Sequence, residues 1–229
     1  MPQSDRRSLP GDEACSTSVV DDAERVRIVE DVAWILHRRS VAVKRLGGPG
    51  PTRDELETIL RAALSAPDHG ALRPWRIIRC TGSSRARLAE IFVDAKRSRH
   101  PDSTEIQLER EREKALRPPV LLALIAATKP EHEKVPEAEQ FASAGAALQS
   151  ILLASHGLGY GAIVLSGSRC HDPDIRQLLG IAAAETFLGF ISIGTIVEAP
   201  KQASRPTLDD VVFDFDGEHV VPLDLGFDS

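Results

Sequence analysis

Ala66-Pro67-Asp68-His69-Gly70-Ala71-Leu72-Arg73-Pro74-Trp75 is the stretch on which the reading of this chain turns. Pro67 disfavours helical geometry in the residue before it, so a preceding helix must stop near Ala66. Trp75 to Cys80 is an apolar run with two isoleucines that reads as a strand, closed by a turn at Thr81-Gly82. Asp68 to Arg73 is therefore a loop from helix to strand. Upstream, Thr52 and Glu55 have the spacing of a capping box, in which each side chain satisfies a free backbone donor, and Leu56, Ile59, Leu60 and Ala63 supply a buried stripe.

Working outward, Val26, Val29, Ala33 and Leu36 recur at helical spacing, so a first helix from about Ala23 to His37 delivers the chain to Arg38-Arg39-Ser40. Downstream, Ser84 to Arg97 reads as a helix burying Leu88, Ile91 and Phe92. The charged portion Glu105 to Lys114 reads as a solvated helix or mobile excursion, a wet face rather than a packed one. Val120 to Ala127 reads as a buried strand and Glu137 to His156 as a long helix rich in small residues, which Gly157 ends. Ala162 to Leu165, Asp172 to Leu179 and Phe187 to Val197 follow as strand, helix and strand, leaving a tail through Val211-Val212-Phe213. Mixed helices and strands without an internal repeat indicate an α+β layered fold.

With 229 residues, 42% hydrophobic and 27% charged, the chain suits one globular domain. Met1 to Ala23 reads as a flexible polar tail and 24–229 as the folded domain; acidic residues from Asp12 to Asp22 stand where a secretory signal needs an apolar stretch, which implies a cytoplasmic protein. The longest apolar runs fall short of the roughly 20 residues of a membrane-spanning helix, so no membrane association is expected. A net charge of -6 with scattered basic residues speaks against nucleic-acid binding. Three cysteines without a CxxC pair speak against a disulfide framework, and neither His132 nor Cys170-His171-Asp172 is completed by a second cluster of metal ligands, so no metal is expected. The glycines from Gly157 to Gly161 follow a helix and precede a strand, the reverse of a dinucleotide-binding loop. Ser166-Gly167-Ser168 lacks the Gly-x-Ser-x-Gly elbow of a hydrolase.

Arginine forks bond phosphate oxygens bidentately, so Arg38, Arg39 and Ser40 suit the phosphate end of a flavin mononucleotide (FMN), although two arginines closing a helix are by themselves also a common surface feature. The combination is more specific. Arg38-Arg39-Ser40, then a helix, then Ala66-Pro67-Asp68-His69, then Pro74-Trp75 resembles the nitroreductase family, in particular its short subgroup. Lys134-Val135-Pro136, Glu139-Gln140, Ser143-Ala144-Gly145, Gly159-Tyr160-Gly161, Ser166-Gly167, Gly189-Phe190 and Gly194-Thr195 fit the same family, so the likeness spans about residues 30 to 200.

The resemblance implies a three-layer fold with a mixed central sheet flanked by helices, and a homodimer holding FMN at the subunit interface. It also implies NADPH or NADH as electron donor and a small-molecule acceptor such as a nitroaromatic or quinone, served by ping-pong turnover. By position it assigns Arg38, Arg39 and Ser40 to the phosphate and ribityl end, with Arg205 as a looser fourth contact, and His69 to the flavin of the partner subunit. Val164, Leu165 and Ser166 fall beside the isoalloxazine ring, with backbone donors near Ser166 and Gly167 facing its N5. The chemistry belongs to the flavin, so no catalytic side chain is assigned.

Four positions depart from the family pattern. Arg73 stands where relatives usually carry glutamine; an arginine cannot accept a hydrogen bond but can stabilise negative charge on the reduced flavin. Ser65 and Leu165 replace arginines, and Val164 a tryptophan, which removes polar contacts and leaves a more apolar lining. Two other readings fit the residues: a flavin-binding protein without efficient turnover, and a family branch acting on a biosynthetic intermediate.

Overall fold

Seven consecutive apolar residues, Val120 to Ala126, form the strand around which the fold is built, buried along its whole length. The structure, a computed structural model, describes residues 32–201 and 204–226. In chain order the strands are β1 (Leu46–Gly47), β2 (Trp75–Cys80), β3 (Val120–Ala126), β4 (Gly161–Leu165), β5 (Thr186–Ile196), β6 (Phe213–Phe215) and β7 (Val220–Pro222). The helices are α1 (Arg53–Leu64), α2 (Ser83–Arg99), α3 (Glu105–Leu116), α4 (Glu137–Gly157) and α5 (Pro173–Leu178). The chain divides into two units, Met1–His37 and Arg38–Ser229. In the first, residues 32–37 are helical; the expected tail and most of the expected first helix lie outside the described residues.

β3 lies between β2 and β5, and the far edge of β5 is shared by β4 and β1. All these pairings are antiparallel; the parallel component is an isolated bridge from Ser40 to Ala162 of β4. Alternation along β3 explains its unbroken apolarity. Leu121, Ala123 and Ile125 face a core with Leu88 and Phe92 of α2, Ala115 of α3 and Ile175 of α5. Val120, Leu122 and Leu124 face a second core with Ile59 and Ala63 of α1 and Ala147 and Ile151 of α4. A strand buried on both faces cannot alternate polar and apolar residues. The result is three layers, α+β, as expected.

The capping box forms as read: Thr52 Oγ1 accepts from the Glu55 amide and the Glu55 carboxylate accepts from the Thr52 amide at 2.8 Å. Tyr160 donates to the same carboxylate at 2.9 Å, tying the start of α1 to the turn before β4. That turn corrects one expectation. Gly157 is the last residue of α4, whereas the left-handed position belongs to Gly159, with φ +83°. The Tyr160 amide reaches back to the Ser155 carbonyl and the Gly159 amide to the His156 carbonyl, which is the Schellman pattern.

Two further segments differ from the sequence reading. α3 is neither a mobile excursion nor merely wet, because Leu108 and Ala115 are buried and its C-terminal end is held by Arg85. The Arg85 guanidinium donates to the carbonyls of Ala115, Leu116 and Pro118 at 2.8, 2.8 and 2.5 Å. This places a cation against unsatisfied helix-end carbonyls, where the helix dipole favours it. The tail after Val212 forms a hairpin of β6 and β7, turning at Asp216, whose carboxylate accepts from the Glu218 and His219 amides. Among the described residues no helix is long and apolar enough to cross a membrane.

Candidate functional site

Arg38, Arg39 and Ser40 are pinned to the sheet immediately beside β4. Ser40 bridges Ala162, and the Val41 amide donates to the Ala162 carbonyl at 3.0 Å. The close approach depends on Gly161, where a Cβ would lie 2.7 Å from Leu46, 2.9 Å from Ile196 and 3.0 Å from Val41. Three guanidiniums then gather. Those of Arg39 and Arg205 donate to the Arg38 carbonyl at 3.0 and 2.7 Å. Burial, followed by the like charges of Arg205 and Arg39, lowers the pKa of Arg38. Among the described residues no carboxylate forms an ion pair with Arg38 or Arg205. Like charges brought together are unfavourable, and an anion that joins Arg38 and Arg205 offsets that cost.

The C-terminal end of β4 carries the other expected residues of this half. Leu165 pairs with Phe190 and packs toward the α2 side, while Val164 packs on the opposite face among the α1 and α4 residues. Gly189 is constrained to glycine twice over: its φ is +140°, and a Cβ there would lie 2.8 Å from the Leu165 carbonyl oxygen. Beyond Leu165 the chain bends at Ser166 and takes a left-handed φ of +80° at Gly167. Burial raises the pKa of the Cys170 thiol, opposed by Arg169 and by a backbone hydrogen bond from Gly167.

His69 and Arg73 lie elsewhere, on the loop between α1 and β2. The Asp68 carboxylate accepts from the Leu72 amide at 3.2 Å and the Arg73 amide at 2.7 Å. Within this clamp two non-glycine residues, Ala71 and Arg73, hold positive φ values of 52° and 49°. Such conformations cost of order 1 kcal/mol or more each and persist only where surroundings enforce them. Arg73 is exposed, and no hydrogen bond or ion pair engages its side chain among the described residues. His69 Nδ1 lies 2.7 Å from Glu139 Oε2 at the start of α4, a contact for which the sequence offered only the family-like Glu139-Gln140 pair. Ser65 turns its hydroxyl inward to the Ala62 carbonyl at 2.8 Å.

Sheet order separates these two groups within one chain. Trp75 is level with Ala126 and Thr186, whereas Leu165 is level with Phe190, four residues further along β5. Three strand spacings across and about 13 Å along place Trp75 and Leu165 roughly 19 Å apart. Arg38, Arg39, Ser40 and Arg205 thus lie at the β4 edge of the sheet, level with the start of β4, and Val164, Leu165, Ser166 and Gly167 follow toward the other end of the same strand, while His69 and Arg73 stand at the opposite edge of the sheet.

One feature of this region was not foreseen in the sequence. A cavity of about 400 Å³ opens between residues 42–44, α3 and the outer face of β4, with Val43, Ile163 and Leu165 as apolar lining. Lys44, Lys96 and Arg110 line it as well. The pairing of Leu108 with Ala115, two turns apart in a charged helix, is the sequence signal that α3 packs and so closes a wall.

Comparison with known proteins bears on the family and the fold. The profile described as "Nitroreductase family" matches residues 35–195. "Putative NAD(P)H nitroreductase YdjA" of Escherichia coli (strain K12) is 32% identical over 161 residues, 70% of this chain and 85% of its own. Among solved structures, a nitroreductase-like family protein from Bacillus cereus superposes with a TM-score of 0.66 at 21% identity, covering 81% of this chain and 96% of the other. The NADPH:FMN oxidoreductase from Vibrio harveyi, solved with NAD+, gives 0.62 at 20% identity, covering 82% and 78%.

Proposed function

The chain belongs to the nitroreductase family, and we propose that it is an FMN-dependent NAD(P)H oxidoreductase that passes electrons to nitroaromatic, quinone or similar acceptors by ping-pong turnover. The observation that carries the proposal is the gathering of Arg38, Arg39 and Arg205, without a carboxylate on Arg38 or Arg205, at the mouth of β4. A flavin phosphate supplies an anion for Arg38 and Arg205, which have no carboxylate partner among the described residues, and Ser40 offers a hydroxyl beside them.

FMN, when bound, supplies the two-electron relay between NAD(P)H and the acceptor. The chain's own residues bind and orient. Arg38, Arg39, Ser40 and Arg205 hold the phosphate and ribityl end; Leu165, on the cavity side of β4, borders the ring with apolar surface, whereas Val164 packs on the opposite face of the sheet. The backbone amides near Ser166 and Gly167, where the chain turns at the end of β4, are the candidates to donate toward the flavin N5. Because His69 and Arg73 stand at the far edge of the same sheet, their contacts are made to a flavin held mainly by a second copy. The working unit is then a homodimer with two sites at its interface, and we place it in the cytoplasm.

The test is to purify the protein, identify the released cofactor and mix it with NADPH or NADH in a stopped-flow instrument. Rapid bleaching of the flavin absorption, with recovery on adding a nitroaromatic or quinone, is the expected result. A yellow protein that resists both donors would instead be a flavin-sequestering protein, and a colourless protein that takes up no FMN would overturn the reading altogether.

A further inference from the structure

We propose that the cavity between α3 and β4 is the seat of an anionic group on the electron acceptor, so that the preferred acceptors are aromatic compounds bearing a carboxylate or a similar acid; this rests on the flavin site proposed above. The cavity adjoins that site on both sides. Its wall at Ala42 begins two residues after Ser40, and its lining residue Leu165 directly precedes Ser166.

The charges around it are unequal in what they leave available. Glu111 is hydrogen-bonded by Lys114 at 2.6 Å and also paired with Arg169, whose guanidinium sits 5.0 Å from the centre of the Phe92 ring. Glu113 is held by Arg117 at 3.2 Å. Both carboxylates and Lys114 are therefore internally satisfied. Lys44, Lys96 and Arg110 have no carboxylate partner among the described residues, and Lys96 is half-buried. A small chamber with an apolar lining and three uncommitted cations fits an organic anion with a flat apolar body. The volume, about 400 Å³, is that of a small-molecule site rather than of a dinucleotide. The lost arginine at Leu165 and tryptophan at Val164 fit this division, with charge recognition moved off β4 onto α2, α3 and residue 44.

The experiment uses the FMN-loaded protein and two acceptors with the same reactive nitro group, para-nitrobenzoate and the neutral para-nitrobenzamide, with Lys96→Gln, Arg110→Gln and the double variant. An exposed ion pair is worth up to about fivefold in binding, so the double variant raises the benzoate-to-amide KM ratio by up to roughly 25-fold if the two add. Added salt raises the same ratio in the parent protein. Calorimetric titration with para-nitrobenzoate, which needs no turnover, shows the matching loss of affinity. Equal KM changes for both acceptors overturn the proposal, as does a change confined to NADPH relative to NADH, which would give these cations to the donor's phosphate. If neither nicotinamide reduces the flavin, the proposed function fails, while the calorimetric comparison of parent and double variant still decides whether the cavity takes organic anions.

Discussion

The two halves of the proposed flavin site are built by opposite means. The half around Arg38 is fixed by main chain against main chain: Ser40 lies in a bridge with β4, and glycine at 161 lets the strands close. Of its side chains, Arg38 and Arg205 carry charge that no carboxylate pairs among the described residues. The half around His69 and Arg73 is a short loop in which the Asp68 carboxylate holds two strained residues, and its side chains are exposed. A rigid cationic cradle suits affinity, because little order is lost when the anion binds. A strained, exposed loop suits adjustment of a ring brought to it by another copy. On the proposed function, the contrast assigns binding strength and redox tuning to different edges of one sheet.

The largest expected effect tests the cradle. Arg38→Ala removes a partly buried guanidinium that no carboxylate pairs among the described residues, so folding should suffer little while FMN affinity falls. Two charge-assisted bonds to a phosphate are worth about 3 kcal/mol together, so the FMN dissociation constant should rise roughly 100-fold. Quenching of flavin fluorescence on titration measures it. An Arg38→Ala protein that binds FMN as tightly as the parent would mean that the guanidinium cluster serves some other anion.

Acidity sharpens the comparison next, through an ion pair close to the loop half. Arg76, one residue into β2 from Trp75, binds Glu185 at 2.6 and 2.7 Å, and the Ala182 amide joins the same carboxylate at 2.8 Å. The hydrogen bond from Arg76, chiefly, holds the Glu185 carboxyl at about 2, down from its ordinary 4.5. A depressed carboxyl pKa contributes stability that is present above the unfolded value and lost as pH falls through the folded one. The contribution is thus whole at neutral pH and disappears between about pH 4.5 and 2. Glu185→Gln should cost roughly 2 kcal/mol at neutral pH, with its stability curve meeting that of the parent as pH approaches 2. Denaturant unfolding at a series of pH values gives the comparison, and a gap that stays constant with pH would remove Glu185 as the cause.

The elements that carry the proposed half-sites could largely be read from residues, but their arrangement could not. Pro67 and Pro74 bound the loop so sharply that β2 begins and ends where the sequence places it, and Thr52 with Glu55 marks the start of α1 equally well. α3 was misjudged because its long charged side chains hide their packing: Glu111 looks like surface in the sequence, yet its side chain is only 14% exposed beneath Arg169. The Gly157-to-Gly161 run offers three glycines, and only the hydrogen bonds from Gly159 and Tyr160 decide which one turns the chain. Strands β6 and β7 are short and bear exposed phenylalanines and valines without a helical or long alternating pattern, so they pass for tail. The wide separation of Arg73 from Leu165 follows from the strand order β1-β5-β3-β2, a non-local pairing that periodicity along the chain does not encode.

The smallest expected effect concerns Arg73, and it decides whether the loop half tunes the flavin at all. Its φ of 49° is set by the Asp68 clamp on the backbone, so Arg73→Gln keeps the strained conformation and changes only charge and hydrogen-bonding character. FMN affinity should therefore move by less than a few-fold, unlike in Arg38→Ala. A cation facing the pyrimidine edge stabilises negative charge on the reduced ring, and its loss should lower the two-electron potential by about 30 mV, equivalent to about 1.4 kcal/mol. Equilibrium titration against a dye of known potential is sensitive enough to resolve that shift. Arg73→Gly supplies the complementary arm, because it removes the cation and also relieves the backbone strain. If the two variants share one lowered potential, charge is the cause; a potential that changes only in the glycine variant assigns the effect to the loop's conformation, and one unchanged in both leaves the tuning to the β4 half.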